Sequence, residues 1–377
     1  MLIGIDASRA VVAQRTGTEN YSLYLIRALL QEGHSHRFRL YFNQAPPEGL
    51  FVRDERVSWR VIPCPRLWTH VRLAWEVALH SPDVLYVPAH VLPLFHPRHC
   101  LATVHDLGYL HYPETHTRWG RWYLDWSTRF NVRVAGRVIV DSQATADDLA
   151  SFYGVNPTKI VLAYPAGAEG FAPVTDPKAL EAVRLNYGTG QRYFLHVGTL
   201  QPRKNLTTLI QAFASLVARR AVADDMRLVL AGKRGWLYKE IVELARGLAI
   251  QDRVVFTGYV AEQDLPALLS GALAYVLPSW YEGFGLPVLE AMSCDAPVVC
   301  SNVSSLPEVA GEAALLFDPA DASALAQAML QVYADSALRQ ELVARGRERV
   351  RAFNWQRCAR QVLTAIEAVG DWESHEP

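Results

Sequence analysis

The sequence predicts an α/β protein built from two doubly wound, parallel-sheet domains. Its 377 residues are too many for one ordinary core. Half are hydrophobic and a fifth are charged, as in well-packed globular proteins. Short apolar runs alternate with segments of helical period, and this pattern restarts after a stretch rich in Pro and Gly. Alternation of this kind is typical of parallel sheets joined by right-handed crossovers.

Seven short apolar runs predict the strands of the first half. They span residues 2–7, 38–43, 57–62, 84–87, 101–105, 138–141 and 160–164. Helices are predicted to begin near Thr18, His70, His116 and Ser142. Ser142 is expected to cap the helix of "SQATADDLASFYG", and Gly154 stands where a glycine commonly ends one.

Six further runs predict the strands of the second half, at residues 193–197, 227–231, 253–257, 274–277, 297–300 and 314–317. The segment "YPAGAEGFAPVTDP" between the two series is interpreted as a linker. The predicted domains are therefore residues 1–170 and 171–353. Residues 354–377 form a last helix and a tail, of which "DWESHEP" is expected to be disordered.

Composition excludes several classes of protein. The net charge of −1 argues against binding to nucleic acid. Five scattered cysteines without ligand spacing predict reduced thiols, which favours a cytoplasmic location. The first residues, "MLIGIDASRA", do not have the pattern of a signal peptide, and no apolar run approaches the ~20 residues that span a bilayer.

Doubly wound sheets bind ligands beyond the carboxyl ends of their strands, so a cleft between the two domains is the predicted site. No Gly-x-Gly-x-x-Gly follows the first strand, and no Walker A loop occurs. The ligand is therefore expected to be neither NAD nor ATP held by a P-loop.

A pair of cations predicts a phosphate site in "HVGTLQPRKNLTTLIQAF". Gly198 permits a turn after the strand, and Arg203 and Lys204 precede a helix predicted to begin near Asn205. Free N–H groups and the helix dipole would add to the two side-chain charges. The alternative is a solvated surface pair.

Two glutamates flank a glycine turn in "SWYEGFGLPVLEAM". Gly283 and Gly285 would let the backbone approach a ligand, and Pro287 favours the first turn of a helix. A diphosphate over this turn would place a ribose near Glu290 and a sugar near Glu282. The alternative is that both carboxylates serve only as cap and dipole partners of the helix.

Together these segments resemble a family. "EGFGLPVLE" is similar to the Glu-x(7)-Glu motif of the retaining GT-B glycosyltransferases of family 4, the mannosyltransferase-like group 1. "GIDAS", "RTGTENYSLYLIRALL", "TVHDLGYLHYP", "VDSQATADDL", "VGTLQPRKNL", "FTGYVAEQDLPALL" and "SNVSSLPEVAG" follow its other motifs in order. The resemblance implies two Rossmann-like domains facing a cleft, with a C-terminal helix that crosses back to the N-terminal domain.

The resemblance implies roles for matching residues of the second domain. Arg203 and Lys204 would bind the donor diphosphate and stabilise the leaving nucleotide, and Glu290 would hold the ribose hydroxyls. Glu282 would position the donor sugar. The remaining donor-binding positions would be Gly198, Gly258, Tyr259, Val260, Gly283, Phe284, Gly285 and Leu286.

In the first domain the resemblance places His105 beside the reacting face of the sugar and Gly17 near the phosphates. Relatives often have Gly-Ile-Gly-Arg-Tyr where this chain has "GTENY". Glu19 and Asn20 are therefore expected to alter the acceptor side.

No Asp-x-Asp motif occurs, so no metal and no cofactor are expected beyond a nucleotide-sugar co-substrate, with GDP-mannose as the candidate. Cationic side chains would then take the place of a metal. The family retains anomeric configuration. Because no clear carboxylate nucleophile is present, same-face attack is favoured, with a donor phosphate oxygen taking the acceptor proton. The expected acceptor is a glycan or a lipid-linked saccharide.

A basic, aromatic segment occupies residues 115–137. At helical spacing Trp119, Trp122, Tyr123, Trp126 and Phe130 share one face. Five arginines stand against a single aspartate between positions 118 and 137. Such helices can lie on anionic membranes, which predicts peripheral contact at the inner membrane face. The alternative is that the aromatic residues pack in the core or between domains.

Two other functions are weighed against the transferase. A nucleotide-sugar 2-epimerase of similar architecture would convert the sugar of a donor without any acceptor. An inactive subunit that binds sugar nucleotides would need a damaged site, whereas Arg203, Lys204, Glu282 and Glu290 are all present.

Overall fold

The computed structural model describes residues 1–12, 15, 17–64, 67–89, 91–235 and 238–371. The described chain forms two compact units. One consists of Met1–Ala166 together with the chain from Phe353 onward, and the other is Gly167–Ala352. Residues 372–377 of the predicted tail, and positions 13, 14 and 16 of the loop before the first helix, lie outside the described residues.

The first unit contains a seven-stranded parallel sheet in the order β3-β2-β1-β4-β5-β6-β7. Its elements are β1 (Leu2–Asp6), α1 (Gly17–Glu32), β2 (Arg37–Phe42), β3 (Val57–Val61), α2 (Ala74–Leu79), β4 (Val84–Val87), β5 (Cys100–Val104), α3 (Gly108–His111), α4 (Arg118–Val134), β6 (Arg137–Val140), α5 (Gln143–Tyr153) and β7 (Ile160–Leu162). Strands β4 and β5 are buried at every residue, as strands covered on both faces must be.

The second unit contains a six-stranded parallel sheet in the order β10-β9-β8-β11-β12-β13. Its elements are α6 (Pro177–Tyr187), β8 (Arg192–Val197), α7 (Leu206–Ala218), β9 (Met226–Ala231), α8 (Tyr238–Gly247), β10 (Val254–Gly258), α9 (Leu265–Ser270), β11 (Ala274–Leu277), α10 (Leu286–Ser293), β12 (Val298–Ser301), α11 (Leu306–Ala310), β13 (Ala314–Phe317), α12 (Ala322–Ala334) and α13 (Ser336–Arg351).

The last helix, α14 (Trp355–Val369), belongs to the first unit although it follows the second in sequence. It packs along α1 and contacts β4, β5, β6 and β7. Its apolar stripe, which includes Val362 and Ile366, is fully buried. Trp355 lies against the rings of Tyr21 and Tyr24 on α1, with centroids 5.8 Å away in both cases.

The predicted fold class is confirmed, and a strand lies at each of the thirteen predicted positions. The cap prediction for α5 is also confirmed, because Ser142 Oγ accepts from the N–H of Thr145 at 3.1 Å and Gly154 has φ of 61°. The helix predicted near His70 differs, since Trp68–Leu73 is a π-helical turn and α2 begins only at Ala74. The buried Trp68 donates its Nε1 hydrogen to the carbonyl of Ile62 at 2.8 Å, which holds this turn against the sheet.

Candidate active site

The strand order of the second unit brings two of its loops together. Strands β8 and β11 are neighbours in the sheet but not in sequence, so the crossovers diverge on either side of them. A doubly wound sheet binds ligands at such a switch point, beyond the carboxyl ends of its strands. The loop after β8 carries Arg203 and Lys204, and the loop after β11 carries Glu282. The N–H of Trp280 joins the two loops by donating to the carbonyl of Arg203 at 3.0 Å.

Arg203, Lys204 and Glu282 form an ion cluster at this edge, in which Lys204 and Glu282 are buried and Arg203 is partly exposed. Lys204 Nζ lies 2.5 Å from Glu282 Oε1, and Arg203 donates to Glu282 Oε2 at 3.2 Å. Arg203 also donates to the carbonyl of Tyr281 at 2.6 Å. Ser279 Oγ donates to the same Glu282 oxygen as Lys204, at 2.5 Å. Two cations against one carboxylate leave the cluster one positive charge in excess.

Glu282 is held in its ionised form. Burial alone would raise the pKa of this carboxyl, but the charges of Lys204 and Arg203 and the hydrogen bonds from Lys204 and Ser279 lower it to about 2. Its backbone is fixed as well. Glu282 N–H donates to Ser304 Oγ at 2.9 Å, and Ser305 Oγ donates to the carbonyl of Glu282 at 2.9 Å.

The turn into α10 exposes backbone donors beside this cluster. Gly285 has φ of 98°, where a Cβ would also lie 2.8 Å from a side-chain carbon of Leu306, so glycine is required. No side chain caps α10. Within the described residues, the N–H groups of Gly285 and Leu286 donate no hydrogen bond. An uncapped helix start of this kind favours an anion.

Glu290 lies in the second turn of α10 and is partly exposed. Its carboxylate makes no hydrogen bond or ion pair with another described residue. Burial, assisted by the negative charge of Glu262, raises the pKa of Glu290 to about 7. A partly exposed carboxylate without a partner can accept hydrogen bonds from a diol.

Gly258 is the last residue of β10, and Tyr259 and Val260 follow it at the same edge of the sheet. Gly258 has φ of 72° and accepts at its carbonyl from Gly232 N–H at 2.8 Å. Val260 is buried, whereas the exposed ring of Tyr259 lies 5.2 Å below the ammonium of Lys233. Lys233 lies in the loop after β9 and adds a third cation to this edge. It was not predicted from the sequence.

His196 is a further residue that the sequence analysis missed. It is fully buried on β8, and its Nδ1 donates to the carbonyl of Val276 at 3.0 Å. Burial and the charge of Lys204 lower the pKa of His196 to about 4, so the ring is neutral. Its Nε2 makes no hydrogen bond with a described residue. A Cβ on Gly198 would make ordinary contacts, at 3.4 Å with that nitrogen and at 3.6 Å with a carbon of Lys204, so Gly198 lies directly beside both side chains.

In the first unit, His105 directly follows β5 and Asp141 directly follows the neighbouring strand β6. His105 Nδ1 lies 2.5 Å from Asp141 Oδ2, and its Nε2 lies 2.9 Å from the carbonyl of Pro88. The ring of Tyr21 packs edge-on against it at 4.7 Å. Thr145 Oγ1 donates to the His105 carbonyl at 3.2 Å.

Gly17 is the first residue of α1. Glu19 lies 3.7 Å from the guanidinium of Arg9. Asn20 accepts from Arg15 at 3.0 Å. Both residues therefore pair with arginines that precede the helix.

The aromatic face of α4 is exposed at its first turns. Trp119 is 81% exposed and Trp122 is 60% exposed, so core packing does not account for them. Further along, Trp126 and Phe130 stack at 5.7 Å and lie against His70 and His96. The residues that α4 buries are instead polar, namely Ser127, Thr128 and Asn131.

The described residues contain neither a metal-binding cluster nor a helix that could span a membrane. No group of three or more His, Cys, Asp or Glu side chains is arranged to hold a metal ion. No described helix combines the length and the apolar character needed to cross a membrane.

Comparison with known proteins identifies the fold. The structure is similar to that of the sucrose-phosphate synthase of Thermosynechococcus elongatus, with a TM-score of 0.77 and 24% identity over 99% of this chain and 100% of that one. It is also similar to Anabaena Alr3699/HepE solved with UDP and glucose, with a TM-score of 0.75 and 18% identity over 97% and 99% of the two chains. Both likenesses identify the fold as that of the GT-B class.

Sequence comparison gives the family. Residues 15–166 match the description Glycosyltransferase Family 4, and residues 180–349 match Glycosyl transferases group 1. The O-antigen chain mannosyltransferase B of Escherichia coli is 30% identical over 379 residues, which cover 96% of this chain and 99% of that protein. The chain belongs to family 4 of the glycosyltransferases.

Proposed function

We propose that this glycosyltransferase moves mannose from GDP-mannose to a glycan or lipid-linked saccharide. Transfer would retain the anomeric configuration and need no metal ion. The observation that carries the proposal is the ion cluster of Arg203, Lys204 and Glu282, beside the N–H groups of Gly285 and Leu286, which donate to no described residue. Its excess positive charge suits a leaving diphosphate, because preorganised cations stabilise charge as it develops.

Glu282 supports the metal-free part of the proposal. A carboxylate between two cations fixes their positions before a ligand arrives, so the diphosphate need not order them. Arg203 can engage two phosphate oxygens, whereas Lys204 acts as a point charge. Activity that is unchanged by EDTA would agree with this proposal, and activity that returns only with added Mg²⁺ or Mn²⁺ would contradict it.

Same-face attack is the proposed route to retention. A double displacement needs a free carboxylate nucleophile near the sugar. Glu282 is a poor candidate, because Lys204, Arg203 and Ser279 all donate to its carboxylate. A phosphate oxygen of the donor would instead take the proton of the acceptor hydroxyl. Isolation of a glycosylated enzyme would contradict this route.

The mannosyl donor is proposed because the similar O-antigen chain protein of Escherichia coli is a mannosyltransferase. Thermal unfolding with GDP, UDP, ADP and their sugars tests it. A ligand that binds only the native protein stabilises it by about 2.7 kcal/mol at a hundred times its Kd. We expect GDP and GDP-mannose to raise Tm most. A response to UDP-sugars alone would reject the mannosyl donor, and conversion of the sugar without acceptor would indicate an epimerase.

We further propose that the first unit binds anionic membrane surfaces peripherally. The exposed aromatic face of α4 is continued by two neighbouring segments. His70 Nε2 lies 3.3 Å from the hydroxyl of Tyr123, which joins α4 to the segment of residues 67–79. That segment exposes an apolar stripe at every fourth residue, consisting of Leu67, Val71, Trp75 and Leu79.

The loop before β5 adds the third part of this surface. His96 packs against Phe130, and the adjacent Phe95 is 71% exposed. Exposed Arg118, Arg121 and Arg133 surround the aromatic residues of α4. Tryptophans flanked by arginines match a lipid interface, since the rings enter the headgroup region and the guanidinium groups pair with anionic headgroups. Contact with such a surface would bring the enzyme to a lipid-linked acceptor.

A further inference from the structure

We propose that Asp141 is a positioning residue that holds His105 as a doubly protonated imidazolium, so that His105 serves the transfer reaction by charge and orientation and not by accepting a proton. The protonation state of His105 concerns the free protein. Only the second part, that His105 serves the transfer reaction by charge and orientation, rests on the proposed function.

The hydrogen-bond partners of His105 determine its state. Nε2 faces the carbonyl of Pro88 at 2.9 Å, and a carbonyl can only accept. Nδ1 faces Asp141 Oδ2 at 2.5 Å, and an ionised carboxylate can only accept. A neutral imidazole has one N–H and cannot donate to both. The two acceptors are satisfied together only by the imidazolium.

One alternative moves the shared proton onto Asp141. Burial raises the pKa of the Asp141 carboxyl, but the charge and the hydrogen bond of His105 lower it. An ordinary aspartic acid, with a pKa of 3.8, is far more acidic than an imidazolium, with a pKa of 6.5. Burial by itself lowers the pKa of His105, but the charge of Asp141, its hydrogen bond, the Pro88 carbonyl and the charge of Asp106 outweigh burial and raise it. The proton therefore stays on the ring.

Among the described residues, the other titratable groups that act on the pair carry no competing positive charge. Tyr21 on α1 and Tyr86 on β4 face it, and burial raises the pKa of both phenols. Cys358 on α14 also feels the charge of Asp141, and burial raises the pKa of its thiol. All three are neutral near pH 7. Asp106 is the second acidic group near His105.

The fixed state has a consequence for the reaction. Both ring nitrogens are occupied by acceptors of the protein itself, so neither has a lone pair to take a proton from an acceptor hydroxyl. Removing Asp141 should free Nδ1 and let the ring become neutral as pH rises. Lower pH should restore the charge without Asp141.

The test uses ¹⁵N NMR of the histidine side chains of the full-length free enzyme, with His105 assigned by His105→Gln. We expect both nitrogens of His105 to be protonated at pH 7, and Asp141→Asn to move the titration to lower pH. A wild-type ring with either nitrogen unprotonated at pH 7 would overturn the proposal, whether or not the variant folds. This result does not depend on turnover, so it is distinguishable from failure of the proposed function.

Measurements of transferase activity test whether the charge and orientation of His105 serve the transfer reaction. We expect Asp141→Asn to lower kcat about tenfold at pH 8, in keeping with the loss of one charge-assisted hydrogen bond, and much less at pH 6. In the His105→Gln background the same substitution should add no further loss. An equal loss at both pH values, or an additive loss in the double variant, would show a merely structural role and contradict the proposal.

Discussion

At the scale of the residue, the site depends on the buried carboxylate of Glu282, to which three side chains donate hydrogen bonds. Glu282 accepts from Lys204, Arg203 and Ser279 and is anchored through its backbone by Ser304 and Ser305. Removal of one partner from a buried ion pair leaves charge uncompensated, which costs about 3–5 kcal/mol. Catalytic and structural effects must therefore be measured separately at these positions.

Lys204→Ala tests the diphosphate role. We expect kcat to fall by about 10²–10³-fold, because one preorganised donor to the leaving group is lost. Donor turnover by chromatography measures it, and urea unfolding measures the accompanying loss of stability. Lys178→Ala, at an exposed position on α6, is the matched control and should leave both unchanged. Full activity of the folded Lys204 variant would refute the proposed role.

Glu290 predicts a pH-dependent stability. Its pKa is raised to about 7 in the folded protein from an ordinary value of 4.5, so the native state binds more protons than the unfolded state between these values. The free energy of unfolding should therefore fall as pH rises through this window, by about 1–3 kcal/mol. Urea unfolding at pH 5 and pH 8 measures this change.

The Glu290→Gln variant isolates that contribution, since all other titrating groups remain. Its stability should vary less than wild type between pH 5 and pH 8. If Glu290 holds the ribose as predicted from the sequence, binding of a nucleotide diphosphate should also tighten with pH in wild type, because only an ionised carboxylate can accept from both hydroxyls of a diol. Identical pH profiles for the two proteins would exclude a perturbed Glu290.

At the scale of the element, α4 is unusual because it buries polar residues and exposes tryptophans. Asn131 explains the buried side, since its Oδ1 accepts from the N–H of Leu92 at 2.9 Å. Thr128 Oγ1 accepts from the hydroxyl of Tyr109 at 2.9 Å. These bonds fix the rotation of the helix about its axis, so Trp119 and Trp122 face outward.

Substitution of both tryptophans tests the membrane surface. Trp119→Ser with Trp122→Ser should reduce sedimentation with phosphatidylglycerol-containing vesicles by tenfold or more, as roughly 25 cal/mol per Å² of apolar area is no longer buried. Leu185→Ser removes an equally exposed apolar side chain from α6 and should have no effect. Wild-type protein that stays in the supernatant at low salt would refute the surface altogether.

The strands and the caps could be predicted from local sequence, because buried parallel strands are uninterrupted apolar runs and Ser142 and Gly154 act on their own neighbours. The pairing of Glu282 with Arg203 and Lys204 could not, since it depends on β8 and β11 being adjacent. The pair of His105 and Asp141 was missed for the same reason, although both residues directly follow strands. The aromatic face of α4 was predicted from the sequence. Its exposure to solvent could not be predicted, because it depends on the hydrogen bonds that Asn131 and Thr128 make on the buried side of the helix.

At the scale of the whole molecule, the first unit is built from two separate segments of the chain, one before and one after the second unit. The second unit is one continuous segment, Gly167–Ala352, whereas the first is completed by α14. Burial of Trp355, Val362 and Ile366 against α1 and the strands is therefore the last contribution to the core of the first unit.

This order has a consequence for synthesis on the ribosome. The segment that carries the cations and Glu290 can complete its fold while translation continues. The sheet of the first unit must wait, with the groove for α14 uncovered, until α14 has left the exit tunnel. The half of the enzyme that is made first is thus the half that matures last, and it is the half that nascent-chain chaperones would shield.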